Sequence, residues 1–216
     1  MLIVVDGVLE EVTEEVTTPF GAVPFYQLPH YPIIQLPEAK RLAPPAIAYA
    51  AKALGAERVL LVLRDVGVKE VVAVGDFVEF TDGRFTTFFS HIGTGYVQQA
   101  PPFCPELRTA VLQTGAGDGG GLLVVNELPQ RSVQQWWVRQ GIEMISTRSQ
   151  PEGALCRELE MCMATVAVPQ AMDLRPWLMA LTHHLPSERG CSCVQTMSFA
   201  RKSGRLPDDW RDWIRV

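Results

Sequence analysis

The sequence has 216 residues, 47% of them hydrophobic, and a formal net charge of −5 at pH 7. That size and apolar content suffice for one sizeable core, and the acidic balance excludes a broad basic surface, so neither nucleic acid nor an anionic membrane is an expected partner. No stretch reaches the roughly 18 apolar residues of a membrane span, and the opening MLIVV lacks the charged flank of a secretory signal, so a cytoplasmic protein is expected.

In chain order, short apolar and β-branched runs predict strands at LIVV (2–5) and VPFYQL (23–28), and the alanine-rich PAIAYAAKAL (45–54) predicts a helix. Strands follow at RVLLVL (58–63) and DFVEF (76–80). The glycine-rich TGAGDGGG (114–121) has no Lys-Ser/Thr after it and leads into the strand LLVV (122–125), so it reads as a hairpin-like connection and not as a phosphate loop. A helix over 131–140 carries Trp136 and Trp137, which cannot share one face, so at least one is expected at an interface or under the tail. The strand EMIS (143–146), a helix over 151–159, the strand MATVAV (163–168) and a helix over 174–184 complete the pattern. Pro151 suits a helix start because its missing N–H has no helical partner there. The prediction is a single α/β domain over 1–202, a mixed β-sheet flanked by helices, with a Trp-containing tail over 203–216.

Five cysteines, Cys104, Cys156, Cys162, Cys191 and Cys193, form no Cys-x-x-Cys pair. A zinc site is therefore not expected, and the odd number argues against a fully paired secreted framework. His183 and His184 are adjacent on one helix, point to different faces, and make no metal pair.

Several motifs in order carry a resemblance. TTPFG (17–21), GAERVLLVL (55–63), GDFVEFTDGRFTTFF (75–89), PFCPELRTAV (102–111), QPEGALCRELEMCMATVAV (150–168) and ERGCSC (188–193) resemble the trimeric purine nucleoside phosphorylases, and within them the methylthioadenosine phosphorylase branch. The resemblance covers about residues 8–202 and implies a nucleoside-phosphorylase-like fold. It also implies a purine nucleoside as ligand, phosphate as co-substrate with no other cofactor, and a homotrimer or a mixed oligomer with an active paralogue. In that family the Cys-x-Cys forms a strained disulfide in some thermophilic relatives; reduced thiols suit a mesophilic cytosol.

The family's phosphate cradle uses a Gly-Gly-Ser/Thr-Gly loop, an Arg-His-Gly segment and a hydroxyl pair after a strand. Against these the sequence sets Gly7 alone, QLPHYP (27–32) with His30 as a remnant, and Val62 and Leu63. Apolar side chains cannot replace lost hydrogen bonds to a dianion. Thr147 and Arg148 stand where the family has Met followed by Ser or Thr. Arg148 grips an anion through its fork, fills the vacated phosphate space as a resident cation, or pairs with an acidic neighbour. Glu127 matches the acid of the Glu-Gly-Pro-Arg-Phe motif, whereas Arg131 replaces its stacking aromatic, and Tyr96 falls where a histidine of the branch reaches the neighbouring pocket. In PQAMD (169–173) Ala171 occupies the first acidic position of the branch and Asp173 the second. Asp173 is thus a candidate catalytic acid, or simply the N-cap of the following helix.

Motifs that shape the core persist, while those that touch ligands are substituted. The favoured expectation is a phosphorylase-fold protein with a degenerate or repurposed site, a non-catalytic binding or scaffold subunit. The alternatives are an active purine nucleoside or methylthioadenosine phosphorylase with a relocated phosphate site, and a nucleoside hydrolase or a lyase using Asp173 or Glu127 as acid or base.

Overall fold

The computed structural model describes residues 1–7, 14–29, 31–36, 42–64, 66–83, 87–89, 97, 99–207 and 209–214, the side chains of Arg211 and Trp213 excepted. Its elements run β1 (Leu2–Asp6), β2 (Glu14–Thr18), β3 (Gly21–Gln27), β4 (Pro32–Leu36), α1 (Pro44–Ala53), β5 (Arg58–Leu63), β6 (Val72–Ala73) and β7 (Asp76–Phe80). They continue with α2 (Pro105–Gln113), β8 (Gly117–Asp118), β9 (Gly121–Val125), α3 (Arg131–Arg139), β10 (Ile142–Ser146), α4 (Glu152–Glu158) and β11 (Cys162–Ala167). A helix α5 (Leu174–His184), a 3-10 turn (Ser192–Gln195), α6 (Ser198–Lys202) and α7 (Trp210–Ile214) close the chain.

The most apolar runs become the centre of a mixed sheet ordered β2-β3-β4-β1-β5-β11-β6-β8. β4, β1, β5 and β11 are parallel neighbours, with Val5 opposite Val62 and Ala167 opposite Leu63. All of β11 is buried, and β1 and β5 are buried but for one end residue each. Such unbroken apolar runs belong to strands covered on both faces, which is why they show no alternation. α1 and α4 pack on each other, α4 also against β11, and α2 lies against β11, β6 and α5. The fold class expected from the sequence is the one observed, with one addition. Three of the predicted strands, β7, β9 and β10, leave the main sheet to form a second, all-parallel sheet ordered β10-β9-β7.

The glycine-rich segment differs from the expected hairpin. It is a packed crossing, in which Gly117 and Asp118 pair with β6 of the large sheet before Gly121 starts β9 of the small one. Gly119 is required there, since a Cβ on it would stand 2.1 Å from Val72 Cγ1, and a Cβ on Gly75 would stand 2.5 Å from the Gly119 carbonyl. Arg108 closes the same seam, its Nε donating to Val74 O at 3.1 Å and its guanidinium pairing with Asp118.

QLPHYP is the turn between antiparallel β3 and β4, closed by the reciprocal amide bonds of Leu28 and Tyr31; His30 itself lies outside the described residues. Within the segment expected as a tail, 203–216, Leu206, Trp210 and Ile214 are buried in the main core, and Trp210 stacks edge-on with Phe89 at 5.9 Å. Trp136 and Trp137 lie on α3, none of whose residues is buried, and Trp137 packs against Phe80 at 5.3 Å.

Candidate functional site

Ligand crevices of parallel α/β sheets lie beyond the carboxyl ends of the strands, because the connecting loops and helix starts converge there. Here the ends of β1, β5 and β11 deliver Asp6 and Gly7, Arg64, and the loop 169–173. Arg64 ties these ends together. Its Nη2 donates to Gln170 O at 2.5 Å and to Met172 O at 2.9 Å, and its Cδ would lie 3.7 Å from a Cβ on Gly7. Gly7 has φ +120°, a backbone region that disfavours side chains, so the conformation calls for glycine although the contact to Arg64 would be an ordinary one.

The small sheet brings its carboxyl ends to the same crevice. Ser146 of β10 lies opposite Val124 of β9, so Thr147 and Arg148 leave β10 at the end where β9 leads on to Glu127, while Arg131 opens α3 further along. Arg148 reaches across to the large sheet: its Nε stands 3.9 Å from Asp6 Oδ1 and its Nη1 4.0 Å from Glu152 Oε1. The Arg148 side chain is 11% exposed and that of Glu152 5%. The guanidinium thus stands at the outer limit of ion-pair distance from two carboxylates. Backbone geometry holds the arginine there. Ser146 Oγ accepts the Arg148 amide at 3.0 Å, and the next residue, Ser149, is fully buried at φ +95° with its hydroxyl 2.8 Å from Thr165 Oγ1 on β11. A non-glycine residue in that region is strained, and the buried hydroxyl pair is what retains it.

The other predicted site residues are less engaged. Asp173 is the N-cap of α5, its Oδ1 accepting the Arg175 amide at 3.1 Å. Glu127 and Arg131 are exposed, Thr147 is half-buried, and Tyr96 lies outside the described residues. Val62 and Leu63 are wholly buried, so the positions of the lost hydroxyl pair offer the crevice no donor.

Two features elsewhere in the molecule escaped the sequence reading. Glu158, in the last turn of α4, is 3% exposed and accepts bonds from Thr87 Oγ1 at 2.5 Å and the Phe88 amide at 2.7 Å. Burial pushes its carboxyl up to about 7, although those two bonds pull the other way. The second feature corrects the expectation that the cysteines form no ligand set: Cys104, Cys162, Cys191 and Cys193, all buried, place their Sγ atoms within 4.8 Å of one another. Hydrogen bonds from Cys162 and Cys193 hold the Cys104 thiol far below its usual range, while hydrogen bonding to Cys104 pushes Cys162 and Cys193 up. Cys191-x-Cys193 was the signal available in the sequence, but its two partners come from other parts of the chain. A cleft of 330 Å³ walled by Glu106, Ala110 and His184 lies on this α2 side of the molecule, not among the carboxyl-edge residues.

No protein-family model matches the chain. Over 134 residues it is 34% identical to the S-methyl-5'-thioadenosine phosphorylase of Mycolicibacterium smegmatis, covering 58% of this chain and 51% of the relative. It is 35% identical over 106 residues to the enzyme of that name from Mycobacterium tuberculosis, covering 48% of this chain and 40% of the relative. The chain thus spans about half the length, or less, of these relatives. A longer match, 28% identical over 188 residues, reaches 72% of the S-methyl-5'-thioadenosine phosphorylase of Thermofilum pendens and covers 70% of this chain. Among solved structures, the apo methylthioadenosine phosphorylase of Schistosoma mansoni superposes with a TM-score of 0.64 at 18% identity, covering 99% of this chain and 94% of that one. A methylthioadenosine phosphorylase from an antarctic soil metagenomic library gives 0.60 at 18% identity over 96% of this chain and 88% of that one. With its core motifs kept and several ligand-contacting positions substituted, the chain is similar in sequence to S-methyl-5'-thioadenosine phosphorylases and shares the fold of the methylthioadenosine phosphorylases.

Proposed function

We propose that this protein keeps the nucleoside crevice of its family but does not perform phosphorolysis, acting instead as a binding or scaffold subunit. The observation that carries this reading is the pairing of Arg148 with Asp6 and Glu152. Phosphorolysis needs a phosphate dianion held against the anomeric carbon while the base leaves with extra electron density. Both demands are met by donors and positive charge that are not already committed. Here the buried guanidinium faces two carboxylates, so a dianion approaching it would meet their repulsion, and Val62 and Leu63 supply no hydrogen bonds. Asp173 spends a carboxylate oxygen on the start of α5.

An active phosphorylase is the second reading. Arg64 favours it, because that guanidinium stands at the end of β5, where a residue of the family's phosphate cradle would be, and the relatives named above are phosphorylases. In that case Arg64 would leave the carbonyls of Gln170 and Met172 to meet phosphate. As a subunit the protein would assemble as a homotrimer or with an active paralogue; a solution mass equal to the 23.9 kDa chain would remove that part.

A thermal-shift titration with adenine, methylthioadenosine, inosine and phosphate, run beside an assay of free base, separates the readings. A ligand that binds only the native state raises the midpoint, and a nucleoside held at about 100 times its Kd stabilises by about 2.7 kcal/mol. The proposal expects a shift with purine or nucleoside, no added effect of phosphate, and no base released. Phosphate-dependent release of adenine from methylthioadenosine would refute it in favour of catalysis.

A further inference from the structure

The cysteine cluster sits at the amino end of β11, the opposite end of that strand from the crevice. Cys162 opens the strand, and Cys104 precedes α2 with its amide bonded to Met163 O at 2.8 Å. Cys193 lies in the 3-10 turn and Cys191 is the residue that caps its start. Cys162 Sγ and Cys191 Sγ are 3.3 Å apart, and no pair among the four lies beyond 4.8 Å. A tetrahedral thiolate site with metal–sulfur bonds of about 2.3 Å has sulfur–sulfur edges of about 3.8 Å, inside that range. A disulfide would need one pair at about 2.05 Å, and all five cysteines are free thiols.

Packing alone accounts for a single buried thiol, since cysteine behaves as a small apolar residue. It gives no reason for four sulfurs from three distant segments to turn toward one point. The loop that carries the last two is held independently. The Gly190 amide donates to Glu106 Oε1 at 2.8 Å, Arg189 donates to Glu160 O at 2.9 Å and to Glu57 Oε1 at 3.1 Å, and Arg58 holds Glu188 O at 3.0 Å. These bonds set the loop in place before any ion arrives.

We propose that Cys104, Cys162, Cys191 and Cys193 bind one zinc ion in a closed, all-thiolate site. Four protein ligands leave no open position for water or substrate, so the ion is structural. Soft thiolates in tetrahedral array select zinc over magnesium or calcium. The ion ties α2, β11 and the 186–193 loop together at the opposite end of β11 from the 169–173 loop, a strand about 17 Å long. Each bound thiolate releases its proton on binding.

The full chain, expressed with zinc in the medium and purified in reducing buffer free of chelator, is expected to hold one zinc per chain by elemental analysis. Stripping the metal should lower Tm by more than about 10 °C. Cobalt(II) added to the stripped, reduced protein should give the intense visible bands of a tetrahedral thiolate ion. Cys104→Ser and Cys193→Ser should abolish both signals, whereas Cys156→Ser, a buried cysteine outside the cluster, should retain them. If the ligand variants do not fold, elemental analysis and the cobalt spectrum of the unaltered chain decide the matter. A reduced, cooperatively melting chain that holds no zinc and develops no cobalt bands overturns the proposal, as would two disulfides among the four by mass spectrometry, or iron in place of zinc.

Discussion

Replacing Glu158 by Gln should make the protein more stable in mild alkali and remove much of its stability change between about pH 4.5 and 7. The carboxyl is pushed from an ordinary 4.5 up to about 7 because it is buried. The native state therefore binds the proton more tightly than the unfolded chain does. Stability from protonation is complete below the unfolded value and is lost as pH rises through the native one. At about 1.4 kcal/mol per pH unit, the rise corresponds to about 3 kcal/mol, an upper figure because the native site relaxes when ionised. The amide introduced by Glu158→Gln would suit the same partners: its carbonyl can accept the Phe88 amide, and its NH₂ can donate to Thr87 Oγ1, which already accepts the Phe89 amide at 3.1 Å. Urea denaturation of wild type and Glu158→Gln at half-unit pH steps isolates this group, since all other titrations cancel in the difference. The variant should match wild type near pH 4.5 and exceed it by up to about 3 kcal/mol above about pH 8. A difference independent of pH, or one that grows toward acid, would refute the reasoning.

Arg148→Met should cost about 1–3 kcal/mol in chemical denaturation, because it removes a buried guanidinium that faces the carboxylates of Asp6 and Glu152. Adding Glu152→Gln should recover part of that loss, and an Arg148→Met cost under about 0.5 kcal/mol would mean that the pair is solvated. Trp210→Ala should destabilise the whole protein by about 3–5 kcal/mol in one cooperative transition, because Trp210 is 1% exposed against Phe89. Unchanged melting would instead make residues 203–216 a dispensable appendage. Gly119→Ala should cost about 1–3 kcal/mol or more through its clash with Val72, and Val72→Ala in the same chain should restore part of it, read as a double-mutant cycle.

Much of the fold was legible because its determinants are local. The unbroken apolar runs of β1, β5 and β11 announce strands buried on both faces, and Asp173 ahead of an amphipathic run announces a helix start, which its bond to the Arg175 amide bears out. α2 was not assigned although Pro105 stands at its first position, because only Leu107, Ala110 and Val111 of its residues are buried and the apolar period is weak. β4 is an inner strand between β3 and β1, although its short run PIIQL directly after a proline-bearing turn carries little local signal. α3 shows the opposite case, a strongly amphipathic pattern with no buried residue.

The candidate site was legible only as a set of residue types. That Arg148 is paired, and not available, depends on the small sheet laying the end of β10 over the end of β1, a relation between residues far apart in the chain. The cysteines make the same point more sharply. Cys104, Cys162 and the Cys191-x-Cys193 pair follow no metal spacing, and they meet because the parallel register sets Cys162 opposite Arg58 while Glu106 and Arg189 fold the 186–193 loop back onto that end. Period, capping and turn chemistry act over a few residues and can be read along the chain. Register, sheet partition and the pairing of buried charge are settled by what must be covered from elsewhere, so only the packed tertiary structure decided them.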